Sequence, residues 1–157
     1  EETRAVIRRF RNDLNAGPGD ATRGRAIFQT ACAICHRLYE EGNELGPDLT
    51  HANRKDREYL LTSIVDPSAV IRTEHLSFNL ETKDGQVLSG LIVEQSASGV
   101  TLLNAANERA SVAQNRIASL RESTVSLMPE GLLQPLTPGE LRDLFRYLRS
   151  EKAPAGR

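Results

Sequence analysis

The chain has 157 residues with 20 Lys and Arg against 21 Asp and Glu, a formal net charge of −1. That is the size of one ordinary domain or two very small ones, and the balanced charge, with basic residues nearly all arginine and in no long run, argues against a nucleic-acid or anionic-membrane partner. No apolar stretch has the length of a membrane-spanning helix, no secretory signal opens the sequence (so it reads as a mature or excised chain), and aromatics are only 4%, lean for a core of this size.

Glu1 to Leu14 predicts a charged, weakly amphipathic helix with Val6, Ile7, Phe10 and Leu14 on one stripe. Asn15 to Asp20, rich in Gly and Pro, breaks it, and residues 1–20 read as an N-terminal helix and a linker from an upstream domain. Asp20 or Thr22 is placed to cap a helix over Arg23 to Thr30, which delivers the chain to Cys32-Ala33-Ile34-Cys35-His36. A Gly-rich loop follows over Glu41 to Pro47, then a helix over Arg54 to Val65 whose apolar face is Tyr59, Leu60, Ile64 and Val65. Asp66-Pro67 stops that helix, because the residue before proline disfavours the helical region.

The period then changes. Leu76, Phe78 and Leu80 alternate with polar residues as in a half-buried strand, and Asp84-Gly85 is a hairpin turn signal. Val87-Leu88 and Leu91 to Val93 follow, with Gly90 between them as the mark of a bulge or sharp bend. Val100 to Leu103, Ala110 to Ala113 and Ile117 to Leu120 read as three more strands, so residues 75–121 predict a small twisted antiparallel barrel or meander. Thr137-Pro138-Gly139-Glu140 is a capping box opening a last helix with Leu141, Leu144, Phe145 and Leu148 on one face; residues 153–157 read as a frayed tail. The fold class is therefore α+β: a mainly helical domain over 21–74 and 122–152, interrupted by the β insertion.

Cys32, Cys35 and His36 form C-x-x-C-H with the only two cysteines of the chain. That is the pattern of covalent haem attachment, in which each thiol adds to one vinyl group and the histidine ligates the iron. A thioredoxin-like dithiol shares the Cys spacing but follows a strand, and Arg23 to Thr30 reads helical. A zinc site lacks ligands, since His51 and His75 stand far apart, and a structural disulfide is the remaining alternative. A haem would also supply the large apolar body that the sparse aromatics do not.

The helical segments resemble class I c-type cytochromes. In that family the first helix crosses the last through a glycine and an aromatic four residues later; Gly24 and Phe28 have that spacing, and Leu144 and Tyr147 fit the partner positions. Gly46-Pro47 resembles the loop whose proline carbonyl orients the proximal histidine, here His36. Residues 21–150 look closer still to the haem-binding domain of Planctomycetes and Verrucomicrobia type, found at the C-terminal end of large secreted proteins. Gly46 to Thr50, Tyr59 to Ser68, Asp84 to Val93 and Ser126 to Gly131 carry that likeness. In that family such domains follow dehydrogenase-like propellers or helical repeats; the strand pattern itself reads the β insertion as a small SH3-like barrel or meander.

Met128 is the only methionine, and the resemblance places the sixth iron ligand there, stiffened by Pro129. A thioether is a weak, soft donor that favours ferrous iron; His51 or His75 would instead give bis-histidine ligation. Arg54 is a candidate partner for a haem propionate, Phe28 and Tyr59 for the pocket wall, and Leu45 for the porphyrin face. The expected function is a monohaem electron-transfer domain, not an enzyme, with one covalently attached haem c and a redox partner protein or fused dehydrogenase. The compartment expected is the periplasm or its equivalent, where such haems are attached. A ligand-binding or sensor module with an open sixth position is the alternative, and a docking role for the β insertion a third reading.

Overall fold

The structure, a computed structural model, describes residues 1–155, so Gly156 and Arg157 of the expected tail lie outside the described residues. In chain order the elements are α1 (Glu2–Asn15), α2 (Ala21–Ala31), β1 (Arg37–Leu38), β2 (Glu41–Gly42), α3 (Arg57–Val65), β3 (Phe78–Thr82), β4 (Val87–Ser96), β5 (Gly99–Leu103), β6 (Arg109–Ala113), β7 (Ile117–Glu122) and α4 (Pro138–Leu148). Two compact units result: one formed by Glu1–Ala69 together with the chain from Pro129 onward, the other by Val70–Met128.

The first unit is helical. α2 starts where Asp20 accepts the Arg23 amide, and α4 where Thr137 and Glu140 exchange hydrogen bonds as a complete capping box behind Pro138. The two helices cross at Gly24, where an added Cβ would lie 1.9 Å from the Asp143 carbonyl oxygen. Only a residue without a side chain lets the backbones come so near. One turn on, the Phe28 and Tyr147 rings meet with centroids 5.4 Å apart, both fully buried. Leu141, Leu144 and Leu148 continue the seam, and Phe10, Leu14, Leu60 and Leu61 complete the core.

Three expectations for this unit change. Residues 1–20 are not a free lead-in: Phe10 and Leu14 of α1 are buried in the core. The linker is fastened to α4, for the Asp20 amide donates to Asp143 Oδ1 at 2.7 Å, and the end of α1 is too, for Arg142 donates to the Asp13 carbonyl at 3.1 Å. Helix α3 begins at Arg57 rather than Arg54, because Asp56 provides the cap by accepting the Tyr59 amide. Its buried residues are Leu60 and Leu61, while Tyr59 is 43% exposed. Between α2 and α3 a two-stranded hairpin, β1–β2, occupies part of what reads in sequence as a loop.

The second unit is a five-stranded antiparallel sheet in the order β6-β5-β4-β3-β7. The chain runs β3 to β6 as a meander, turns through a short 3-10 segment at Gln114–Arg116, and lays β7 along the outer side of β3. Leu80, Val100, Leu102 and Val112 form its core. Asp84-Gly85 does make the first turn, with Gly85 at φ +91°. Gly90, however, is no bulge: it sits in register opposite Phe78, and the irregularity falls between Ile92 and Glu94. Glycine is needed at position 90 because a Cβ would stand 2.4 Å from the Leu103 carbonyl oxygen. β4 therefore runs unbroken for ten residues, pairing first with β3 and then with β5.

Candidate haem site

The C-x-x-C-H residues stand at the C-terminal end of α2, beyond Phe28. The Cys32 and Ala33 amides donate to the Phe28 carbonyl at 2.8 and 2.9 Å, and the Cys35 and His36 amides to the Cys32 carbonyl at 3.1 and 2.8 Å. These bonds wind the five residues into a tight continuation of the helix, anchored by the buried Phe28 ring. The chain then folds back through β1 and β2, and the Asn43 side chain reaches the Ile34 carbonyl at 3.1 Å while its amide reaches the Ala33 carbonyl at 2.9 Å. Arg25 of α2 pairs with Glu41 of β2 and ties the hairpin to the helix.

His36 is held from two sides. Its Nδ1 lies 2.8 Å from the Pro47 carbonyl oxygen. A carbonyl only accepts, so Nδ1 carries the proton and the imidazole lone pair is left on Nε2, the tautomer an iron ligand needs. The Gly46 backbone lies close against the ring: a Cβ there would be 2.8 Å from Cε1 and 3.0 Å from Nδ1. The Gly46 amide is itself fixed to the Cys35 carbonyl at 2.6 Å. Gly42, at φ +102°, makes a similar approach, since its Cβ would fall 2.0 Å from the His36 carbonyl oxygen.

The electrostatics separate the alternatives for the cysteines. Both thiols are free. Burial, with a smaller contribution from Cys35, pushes the Cys32 thiol up to about 12, and burial raises Cys35 too. A redox dithiol works through a thiol pKa lowered toward neutrality; here the environment does the reverse. No group of three or more His, Cys, Asp or Glu side chains able to hold a metal ion occurs among the described residues. Two adjacent thiols and one histidine of fixed tautomer fit a haem, which brings its own iron and four ring nitrogens and needs from the protein only anchors and axial donors.

The remaining candidates are spread more widely. Leu45 is buried, 3% exposed, and belongs to neither apolar cluster. Phe28 is taken up by the contact between α2 and α4. The Arg54 guanidinium, a candidate for a propionate, is buried and donates to the carbonyls of Leu148 at 2.6 Å, Ser150 at 2.7 Å and Thr50 at 3.2 Å and to the Tyr39 hydroxyl at 3.1 Å. It serves the end of α4. His51 is exposed, and His75 stands half-buried in a 3-10 turn of the second unit. Met128 is half-buried at the last position of that unit, its amide donating to Ser126 Oγ at 3.1 Å.

Sequence reasoning missed Gly42 and Asn43 and the hairpin that carries them. Tyr39 at φ 52° and Glu40 at φ 75° form its turn, the left-handed pair normally supplied by Asn-Gly. Non-glycine residues there left no turn signal to read.

Helix-end thiols followed by a carbonyl-oriented histidine are the makings of a c-type haem site. Residues 21–78 match the family model for cytochrome c. The chain is similar to a cytochrome c-553-like protein of Synechocystis sp., 42% identical over 48 residues, which is 30% of this chain and 45% of that one. It is also similar to a cytochrome c of Stellaria longipes, 56% identical over 32 residues, 20% of this chain and 30% of that one. The chain thus spans less than half the length of these curated relatives. The matches support a c-type cytochrome; proteins of that family bind haem c with its iron, covalently attached, and are electron carriers rather than catalysts. No helix among the described residues is long and apolar enough to cross a membrane.

Proposed function

We propose that this chain is a monohaem electron-transfer domain of the Planctomycetes and Verrucomicrobia type, with His36 and Met128 as axial ligands, working outside the cytoplasm beside a fused or docked dehydrogenase. The observation that carries it is His36, its proton fixed on Nδ1 by the Pro47 carbonyl and its ring seated on Gly46, directly after two free thiols.

Bound haem supplies the ferric–ferrous couple that takes up and releases one electron. The protein does the rest. Cys32 and Cys35 would anchor the haem, each S–H adding across a vinyl double bond, sulfur to one carbon and hydrogen to the other, with no net oxidation. His36 presents the Nε2 lone pair, and the hydrogen bond to Pro47 strengthens it as a donor. Met128 supplies the thioether, whose softness favours the ferrous state and raises the potential. With His36 and Met128 both donating to the iron, haem held here would have no position left for a substrate, which fits a carrier. The β unit, a meander whose last strand returns to the first after a 3-10 turn, is read as an SH3-like barrel inserted ahead of Met128.

The test is an absorption spectrum of protein made in a host competent for haem attachment, ferric and dithionite-reduced, with the alkaline pyridine adduct to count haems. A low-spin c-type spectrum with one haem per chain and the weak red band of methionine–iron ligation is expected. Absence of covalent haem would sink the proposal. A high-spin spectrum, or ready carbon monoxide binding by the ferrous form, would replace the carrier with a sensor.

A further inference from the structure

Ser77 is the least expected buried side chain of the second unit. It is 3% exposed, immediately ahead of β3, yet it is a serine between Leu76 and Phe78. Its hydroxyl donates to the Val125 carbonyl at 2.9 Å, and its own carbonyl accepts the Ser123 amide at 2.9 Å. The second bond merely prolongs the β3–β7 ladder beyond Phe78 and Glu122. The first does something else: it fastens the chain after β7 has left the sheet.

That chain, residues 123–128, is a strap with serine hydroxyls set along it. Ser123 Oγ accepts the Val125 amide at 3.1 Å, and Ser126 Oγ accepts the Met128 amide at 3.1 Å. Pro129 then restricts the backbone of Met128 from the other side. Val125 is 63% exposed, so apolar burial does not hold the middle of the strap; its carbonyl is held by the 2.9 Å bond from Ser77, with a longer local bond from Ser123 Oγ at 3.4 Å. Ser126, which bonds the Met128 amide, is the next residue after Val125.

We infer that Ser77 is a positioning residue for the sixth ligand: by pinning the strap at Val125 it holds Met128 ready to ligate iron and slows its replacement by outside ligands. The inference rests on the Met128 ligation proposed above. It gives the β unit a task in the redox site carried entirely by bonds inside that unit.

The test uses the full haem-bearing chain as wild type, Ser77→Ala, Ser77→Thr and Ser89→Ala. Ser89 is the internal control, since its hydroxyl bonds to the exposed side chain of Asn79 in the same sheet at 2.6 Å. The readouts are the methionine–iron band, the midpoint potential and the apparent affinity of the ferric protein for imidazole. Ser77→Ala is expected to weaken the band, lower the potential and tighten imidazole binding about fivefold, the factor one net hydrogen bond commands. Ser77→Thr, which keeps the hydroxyl, and Ser89→Ala are expected to behave as wild type. Wild-type behaviour of Ser77→Ala, or equal changes in Ser77→Ala and Ser89→Ala, would overturn the role of Ser77 while leaving Met128 ligation intact. A wild-type protein without the band would instead refute Met128 as ligand, and the positioning role with it.

Discussion

Gly24→Ala tests whether the crossing of α2 and α4 is what the first unit is built around. The new Cβ would begin 1.9 Å from the Asp143 oxygen, 2.6 Å from its carbonyl carbon and 2.8 Å from Tyr147 Cβ. That is about 1.5 Å short of ordinary contact, and the obstacles are backbone, which cannot swing aside. The helices must part, and the Phe28–Tyr147 contact at 5.4 Å loosens with them. Overpacking and lost packing together cost about 3–4 kcal/mol; alanine returns about 1 kcal/mol of helix propensity. The net loss is about 2–3 kcal/mol, roughly 5–10 °C in Tm for a chain of this length. Urea unfolding of the haem-bearing protein followed by far-UV circular dichroism measures it. Gly139→Ala supplies the contrast, because its Cβ meets nothing nearer than Arg142 Nη2 at 3.9 Å, and a gain of about 0.4–1 kcal/mol is expected there. If Gly24→Ala unfolds within error of wild type, close backbone approach is not what glycine provides at this position.

Asp143 links acidity to the same seam. Burial raises its carboxyl, but the hydrogen bonds from Arg23 and the Asp20 amide outweigh it and hold the group below the usual carboxylate range. A lowered folded value means stability present above about pH 4 and lost as pH falls through that value. Asp143→Asn is expected to cost about 1–3 kcal/mol at neutral pH, with the difference from wild type closing in acid; urea midpoints across pH check it, and a pH-independent gap would refute the linkage. Arg54→Met leaves the carbonyls of Leu148, Ser150 and Thr50 without their guanidinium, and about 2–4 kcal/mol should be lost. Amide exchange in the last turn of α4 should accelerate, and unchanged exchange there would show that the guanidinium is not what caps the helix.

What could be read from sequence alone was whatever rests on neighbours along the chain. The Thr137–Glu140 box, the Asp20 cap and the Asp84-Gly85 turn each need only a few consecutive residues, and each formed. The attachment motif is legible for the same reason, since five adjacent residues carry its chemistry. Features set by distant partners were not legible. Asn15 to Asp20 has every local mark of a linker, yet Asp143, far along the chain, holds its end down. Leu61 and Tyr59 are both apolar enough for a core; which one turns inward depends on where Asp56 starts the helix. Gly90 marks a close approach rather than a bulge because the decisive atom belongs to Leu103.

The division of the chain also dictates an order of events during folding. Arg23 and Asp143, which meet across the α2–α4 seam, stand 120 positions apart. Strands β3 to β6, by contrast, each find a first partner through a short turn, β7 returns to β3 from within the same unit, and the contact of Ser77 with Val125 spans only 48 positions. Sequence-local hairpins close within microseconds, long loops later. Once β7 has zipped onto β3, the chain between α2 and α4 is effectively shortened, and the entropy of bringing those helices together falls by roughly 0.4 kcal/mol. A segment inserted into the middle of a helical unit thus does not double the search its halves must make. It folds first and draws them together.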